Sequence, residues 1–172
     1  MPRFTQGDIF DAIQDGRADL AIIFGHIGFN QMSYRWTEFA GGIEAVGSLA
    51  SVRDPFSELP HRPQRVADRH WLWFVPAREN HGMTDDEVQR ALDSALLWAT
   101  EQGLRSIATN GIANTDHGPD AARNRRSDDQ RAALLAEYAS RQEEALGLEI
   151  ELVSLNDVFV RHVAQPLGGA DG

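Results

Sequence analysis

Hydrophobic positions along the chain change period several times, and each change predicts an element. Leu20-Ala21-Ile22-Ile23-Phe24 is a continuous apolar run ending at Gly25, the pattern of a strand covered on both faces. His70-Trp71-Leu72-Trp73-Phe74-Val75 has the aromatic and β-branched content of a central strand and stops at Pro76. Glu149 to Leu155 alternates charged with apolar residues instead, which predicts an outer strand. Shorter strands are predicted at Arg3 to Gln6 and at Leu104 to Thr109.

Between these runs the period lengthens to that of a helix. Thr84-Asp85-Asp86-Glu87 is a capping box, in which hydroxyl and carboxylate satisfy free amides reciprocally. Val88, Ala91, Leu92, Ala95 and Ala99 then form one apolar face, and Gly103 supplies the stop. Ser127-Asp128-Asp129-Gln130 is a second such box, predicted to open a helix carrying Leu134, Leu135 and Tyr138 to about Leu146, with Gly147 behind it. Gly7-Asp8-Ile9-Phe10 reads as a turn into a short helix, another helix is predicted through Trp36 and Phe39, and Asn156 to Val163 adds a last turn or two. Ser51 to Pro63 holds three prolines among mixed charges and reads as a surface loop. Strands alternating with helices predict a three-layer α/β/α sandwich, one domain over residues 1–165 with a disordered tail at 166–172.

Composition narrows the chemistry. With 172 residues and 42% hydrophobic content, one core can be built without crosslinks or structural metal. No apolar run approaches the roughly 20 residues that span a bilayer, and no secretion signal opens the chain, so the expected compartment is the cytoplasm. The absence of cysteine excludes thiolate nucleophiles and thiolate metal sites. All basic residues are arginine, so routes through a lysine amine are closed. A formal charge of −10 argues against general affinity for a nucleic-acid backbone. No membrane contact, cofactor or bound metal is expected, and the chain is expected to be a monomer.

Two glycine-bearing loops, Gly25 to Asn30 and Asn110 to Gly118, each follow a predicted strand and precede a helical segment. In open α/β sheets ligands collect at that strand end, where glycine lets backbone amides approach phosphate oxygens. Either loop alone reads equally well as a tight turn; two at one sheet end point to a pyrophosphate site. Asp116 and His117 lie in the second loop beside Asn110 and Asn114. An aspartate there can act as general base toward water, hydrogen-bond ribose hydroxyls, or cap its own turn. Asp116, His117 and Asp120 lack a recognised metal-ligand spacing. Arg123, Arg125 and Arg126 can clamp a phosphate or pair with Asp128 and Asp129. Trp36, Trp71 and Trp73 can stack on a base, although the last two sit in an apolar strand where one at least belongs to the core. His26, Tyr34 and His81 are not distinctive enough to assign.

The order of these features, from Phe4 to Val163, resembles that of the macrodomain family. Gly7-Asp8-Ile9-Phe10 together with Leu20-Ala21-Ile22-Ile23 is most similar to the branch that removes ADP-ribose from acidic side chains or DNA bases. The resemblance implies a mixed central sheet in the sandwich and an ADP-ribose pocket lined by Asp8, Ile9, Gly25, Gly28, Phe29, Asn110, Gly111, Ile112, Ala113, Asn114 and His117. Within it Asp8 would receive the adenine amino group and Asn110 to Asp116 would wrap the diphosphate and distal ribose. Asp116 would be the catalytic aspartate, with Asn30 helping it orient water. The family's asparagine pair after the second strand is replaced here by Phe24 to Ile27, and its triple glycine is reduced to Gly28-Phe29-Asn30. The implied function is an ADP-ribosyl hydrolase acting on a modified protein or nucleic acid. The alternatives are a non-catalytic ADP-ribose reader and a metal-dependent nucleotide phosphohydrolase.

Overall fold

A computed structural model of the chain describes residues 1–26, 63–67, 70–77, 84–111 and 121–164. Six strands form one sheet: β1 (Arg3–Gln6), β2 (Leu20–His26), β3 (Gln64–Ala67), β4 (His70–Ala77), β5 (Ser106–Thr109) and β6 (Glu149–Ser154). Their order across the sheet is β1-β6-β5-β2-β4-β3. All neighbours are parallel except β3, which pairs antiparallel with β4 and makes the sheet mixed. The described helices are α1 (Ile9–Gln14), α2 (Asp85–Glu101), α3 (Ala121–Leu146) and α4 (Val158–Ala164).

Two apolar clusters, one on each face of the sheet, define the layers. Ile9, Phe10, Ala12 and Ile13 of α1 bury against Ala21, Ile23, Leu72, Ala108 and Val153. On the opposite face Leu20, Ile22, Phe24, Trp73, Val75, Ile107, Ile150 and Leu152 bury against α2, α3 and α4. Alternate residues of β2 thus serve opposite cores, and Leu20 to Ile23 are fully shielded. The step from β1 to β2 carries α1 on one face, whereas the return steps from β4 to β5 and from β5 to β6 carry α2 and α3 on the other. Opposite directions on opposite faces give these crossovers one hand, as parallel connections require.

Local chemistry explains most boundaries. Thr84 caps α2, its hydroxyl accepting from the Glu87 amide at 3.2 Å, and Gly103 takes a left-handed φ of 75° just past the end. Asp8 caps α1 by accepting from the Phe10 amide at 3.0 Å. Gly147, at φ 67°, follows the end of α3.

Four expectations differ from the structure. The box at Ser127 does not open α3, because the helix already runs from Ala121; helix continuation gives the Asp128 and Asp129 amides intrahelical partners and overrides the cap signal. Residues Glu149 to Ser154 form an inner strand, not an outer one, lying between β1 and β5. The charge that suggested exposure, Glu151, is 2% exposed, accepts a hydrogen bond from the Thr5 hydroxyl at 2.7 Å and pairs with Arg17 at 3.4 Å. Strand β4 continues through Pro76 to Ala77. It pairs with β3 only as far as Leu72, so at Pro76 no described strand on that side needs the missing N–H. Strand β3, with Val66 its one large apolar residue, carries too little pattern to be expected. The helix through Trp36 and Phe39, nearly all of the Ser51 to Pro63 loop and the 166–172 tail lie outside the described residues.

Candidate functional site

Parallel pairing puts Gln6, His26, Ala77, Thr109 and Ser154, the last residues of five strands, along one edge of the sheet. The connections that leave this edge begin with Gly7, Asn110 and Leu155 among the described residues. The chain steps outward from β2 to β4 and then back across β2 to β5. Its winding therefore reverses where β2 meets β5, the position at which open α/β sheets form a ligand crevice.

At this point the β2–β5 ladder stops short of the end of β2. Ile22 and Thr109 are the last residues in register, yet β2 continues to His26, paired beyond that point with β4. Asn110 spans the gap with its side chain. Its Oδ1 accepts from the Phe24 amide at 2.8 Å, and its Nδ2 donates to the Phe24 carbonyl at 2.9 Å. Gly111 then turns the chain with φ 54°, and a Cβ placed there would lie 2.7 Å from Leu135 Cδ1 on α3. The chain leaving β5 is thus held between the backbone of β2 and the buried face of α3.

At the far end of the same edge, the Gly7 amide donates to the Ser154 carbonyl at 2.8 Å and carries the β1–β6 ladder into the turn. This sets Asp8, half-buried, at the start of α1. Ile9 is 7% exposed and belongs to the α1 core, so only its backbone can serve a ligand. Three strand intervals separate β1 from β2 in the order given above. Since β5 lies one interval nearer, at about 4.8 Å each an occupant touching both Asp8 and the β2–β5 boundary must extend roughly 10–14 Å along the rim.

Of the residues expected at the site, Asp8, Ile9, Gly25, Asn110 and Gly111 are described and share this edge. Gly28, Phe29, Asn30, Ile112, Ala113, Asn114, Asp116 and His117 lie outside the described residues. Arg123, Arg125 and Arg126 fall in the first turns of α3. Trp71 and Trp73 are committed elsewhere: both rings pack edge-on against Trp98 of α2, with centroids 5.1 and 5.8 Å away. Reading the sequence missed Ser154 and Asn156, which also occupy the rim. Asn156 Oδ1 accepts from Ser154 Oγ at 2.9 Å and from the Val158 amide at 3.0 Å, fixing the turn after β6. An asparagine two residues before Val158 and Phe159 was the available signal. Among the described residues no group of three His, Asp or Glu side chains is placed to hold a metal ion.

No family model matches the chain, and no curated protein is significantly similar to it in sequence. Among solved structures the chain is similar to the macrodomain of Thermus aquaticus DarG, with a TM-score of 0.53 and 16% identity, over 90% of this chain and 98% of that one. The likeness covers nearly all of both chains and shows a diverged macrodomain-like fold.

Proposed function

We propose that this chain binds ADP-ribose along the described edge of the sheet and acts as an ADP-ribosyl hydrolase on a modified macromolecule. The observation that carries the reading is the reversal of winding between β2 and β5, where Asn110 and Gly111 carry the chain off the sheet, with Asp8 on the same edge two to three strand intervals away. An occupant of that length, with a hydrogen-bond donor at one end and an anionic middle, matches a nucleoside diphosphate carrying a second sugar. Asp8 would accept from the adenine amino group, and the two glycine-bearing loops would approach the diphosphate. The fold shared with a solved macrodomain supports the same assignment.

For catalysis, binding the diphosphate holds the anomeric carbon in place, and Asp116, helped by Asn30, would activate water or stabilise positive charge developing there. The absence of lysine leaves carboxylate and imidazole groups for this work. Calorimetric titration with ADP-ribose, with AMP and ATP as controls, tests the pocket: micromolar affinity for ADP-ribose above both controls is expected, and equal or absent binding overturns the reading. The Asp116→Ala protein should retain binding while release of ADP-ribose from a modified protein or DNA stops. A parent protein that binds but releases nothing is a reader, the role favoured by replacement of the family's asparagine pair with Phe24 to Ile27. Binding lost on adding a chelator would instead indicate a metal-dependent phosphohydrolase.

A further inference from the structure

The bond pattern at Asn110 has a meaning beyond closing a turn. In a parallel ladder, one residue directs both its N–H and its C=O toward the same neighbouring strand. Phe24 directs both toward β5, two residues past the last Ile22–Thr109 pair, where the main chain of β5 has already turned away at Gly111. Phe24 is 5% exposed, so these two groups need partners inside the molecule. A carboxamide presents one acceptor and one donor side by side, the same pair a strand backbone offers. Asn110 supplies both, at 2.8 and 2.9 Å.

We infer that Asn110 is a positioning residue, whose side chain replaces the missing strand backbone opposite Phe24 and so fixes the spacing of β2 and the chain leaving β5 past the end of their ladder. The inference rests on the ADP-ribose reading given above. The role it gives the Asn110 amide is to hold β2 in place and not to bind the ligand, since each polar atom of that amide bonds the Phe24 backbone. What the amide controls is the separation of the two chains from which the glycine-bearing loops spring. The adenine end at Asp8, two strand intervals from β5, is outside its influence. Diphosphate and distal-sugar binding should therefore depend on Asn110, and adenosine binding should not.

Two variants separate this role from a general contribution to folding. Asn110→Ala removes both bonds; Asn110→Asp keeps the shape but turns a second acceptor toward the Phe24 carbonyl. Affinities for ADP-ribose and for AMP are measured by calorimetry below the unfolding temperature of each protein. In either variant that folds, ADP-ribose should weaken by about tenfold or more while AMP changes by less than about threefold, a loss on the order of 1.4 kcal/mol confined to the distal half of the ligand. Equal weakening of both ligands, or unchanged ADP-ribose affinity, overturns the inference and leaves the pocket standing. If the parent protein itself fails to prefer ADP-ribose over AMP, the pocket assignment falls and takes the inference with it.

Discussion

At the scale of single residues, Gly111 is the position where the fold leaves least room for choice. Its φ of 54° lies in the left-handed region, and an added Cβ would meet Leu135, itself 3% exposed in the core between α3 and the sheet. The Leu135 methyl is the end of a side chain, yet its burial leaves it little freedom to withdraw. Gly111→Ala combines backbone strain of about 1–2 kcal/mol with overpacking of about 1–3 kcal/mol, so a loss of roughly 2–5 kcal/mol is expected. Urea denaturation followed by circular dichroism measures it; a lowered midpoint at unchanged slope is the expected result, and a shift below about 0.5 kcal/mol contradicts the strain. Sequence reading could place a glycine loop after the strand ending at Thr109, because glycine behind an apolar run is a local signal. It could not foresee Leu135 as the wall or Phe24 as the partner of Asn110, because both lie elsewhere in the chain and meet the loop only after folding. Asp8 was legible for the opposite reason: an N-cap is decided by its next few neighbours.

Among elements, α2 and α3 are joined by more than apolar contact. Tyr138 on α3 is 4% exposed and donates its hydroxyl proton to Asp93 on α2. Burial raises the phenol well above its ordinary range; the bond to Asp93 and that carboxylate's charge raise it further, and Arg141 opposes them weakly. The sign follows from proton counts. Above about pH 10 an unfolded chain gives up the Tyr138 proton while the folded chain keeps it, so the unfolded state binds fewer protons and stability falls as pH rises. This contribution is complete below about pH 10 and fades above it. Urea midpoints between about pH 8 and 11 should decline more steeply for the parent than for Tyr138→Phe, which has no phenol at this position. Parallel declines would remove Tyr138 from the account. The elements themselves were readable wherever their signals were local, as with the capping box at Thr84. The box at Ser127 failed because a helix already under way satisfies those amides better than a cap does. Strand β3 escaped notice because an edge strand of four residues paired on one side needs no apolar alternation.

For the molecule as a whole, what could not be read was the order of strands. Local periodicity says that a segment is a strand but not which strand lies beside it, and the placement of β6 between β1 and β5 joins residues as far apart as Thr5 and Glu151. Glu151 shows what that placement required. Its carboxylate is buried, and the chain brings it the Thr5 hydroxyl from β1, Arg17 from the turn before β2 and, at 3.8 Å, Arg3 from the start of β1. Strand β1 and the turn before β2 converge on one charge of β6, so its loss tests whether the sheet unfolds as a unit. Glu151→Gln can still accept from Thr5 but gives up the charge facing both guanidinium groups. Because the Arg17 and Arg3 side chains remain 32% and 53% exposed, their charges stay partly solvated. The cost is accordingly set at about 1–2 kcal/mol, below that of breaking a fully buried pair. Raising salt should narrow the gap between parent and variant without closing it, since screening reaches the exposed arginines better than the carboxylate. In a Trp36→Phe background, tryptophan fluorescence reads the opposite side of the sheet through Trp71, Trp73 and Trp98. Circular dichroism reads every strand and helix. If the five parallel strands form one cooperative unit, Glu151→Gln shifts both transitions together, far from the site of change as well as near it. A dichroism transition that precedes the fluorescence one would mean that β1 and β6 let go on their own, and that the rim holding Asp8 is less stable than the pairing of β2 with β5.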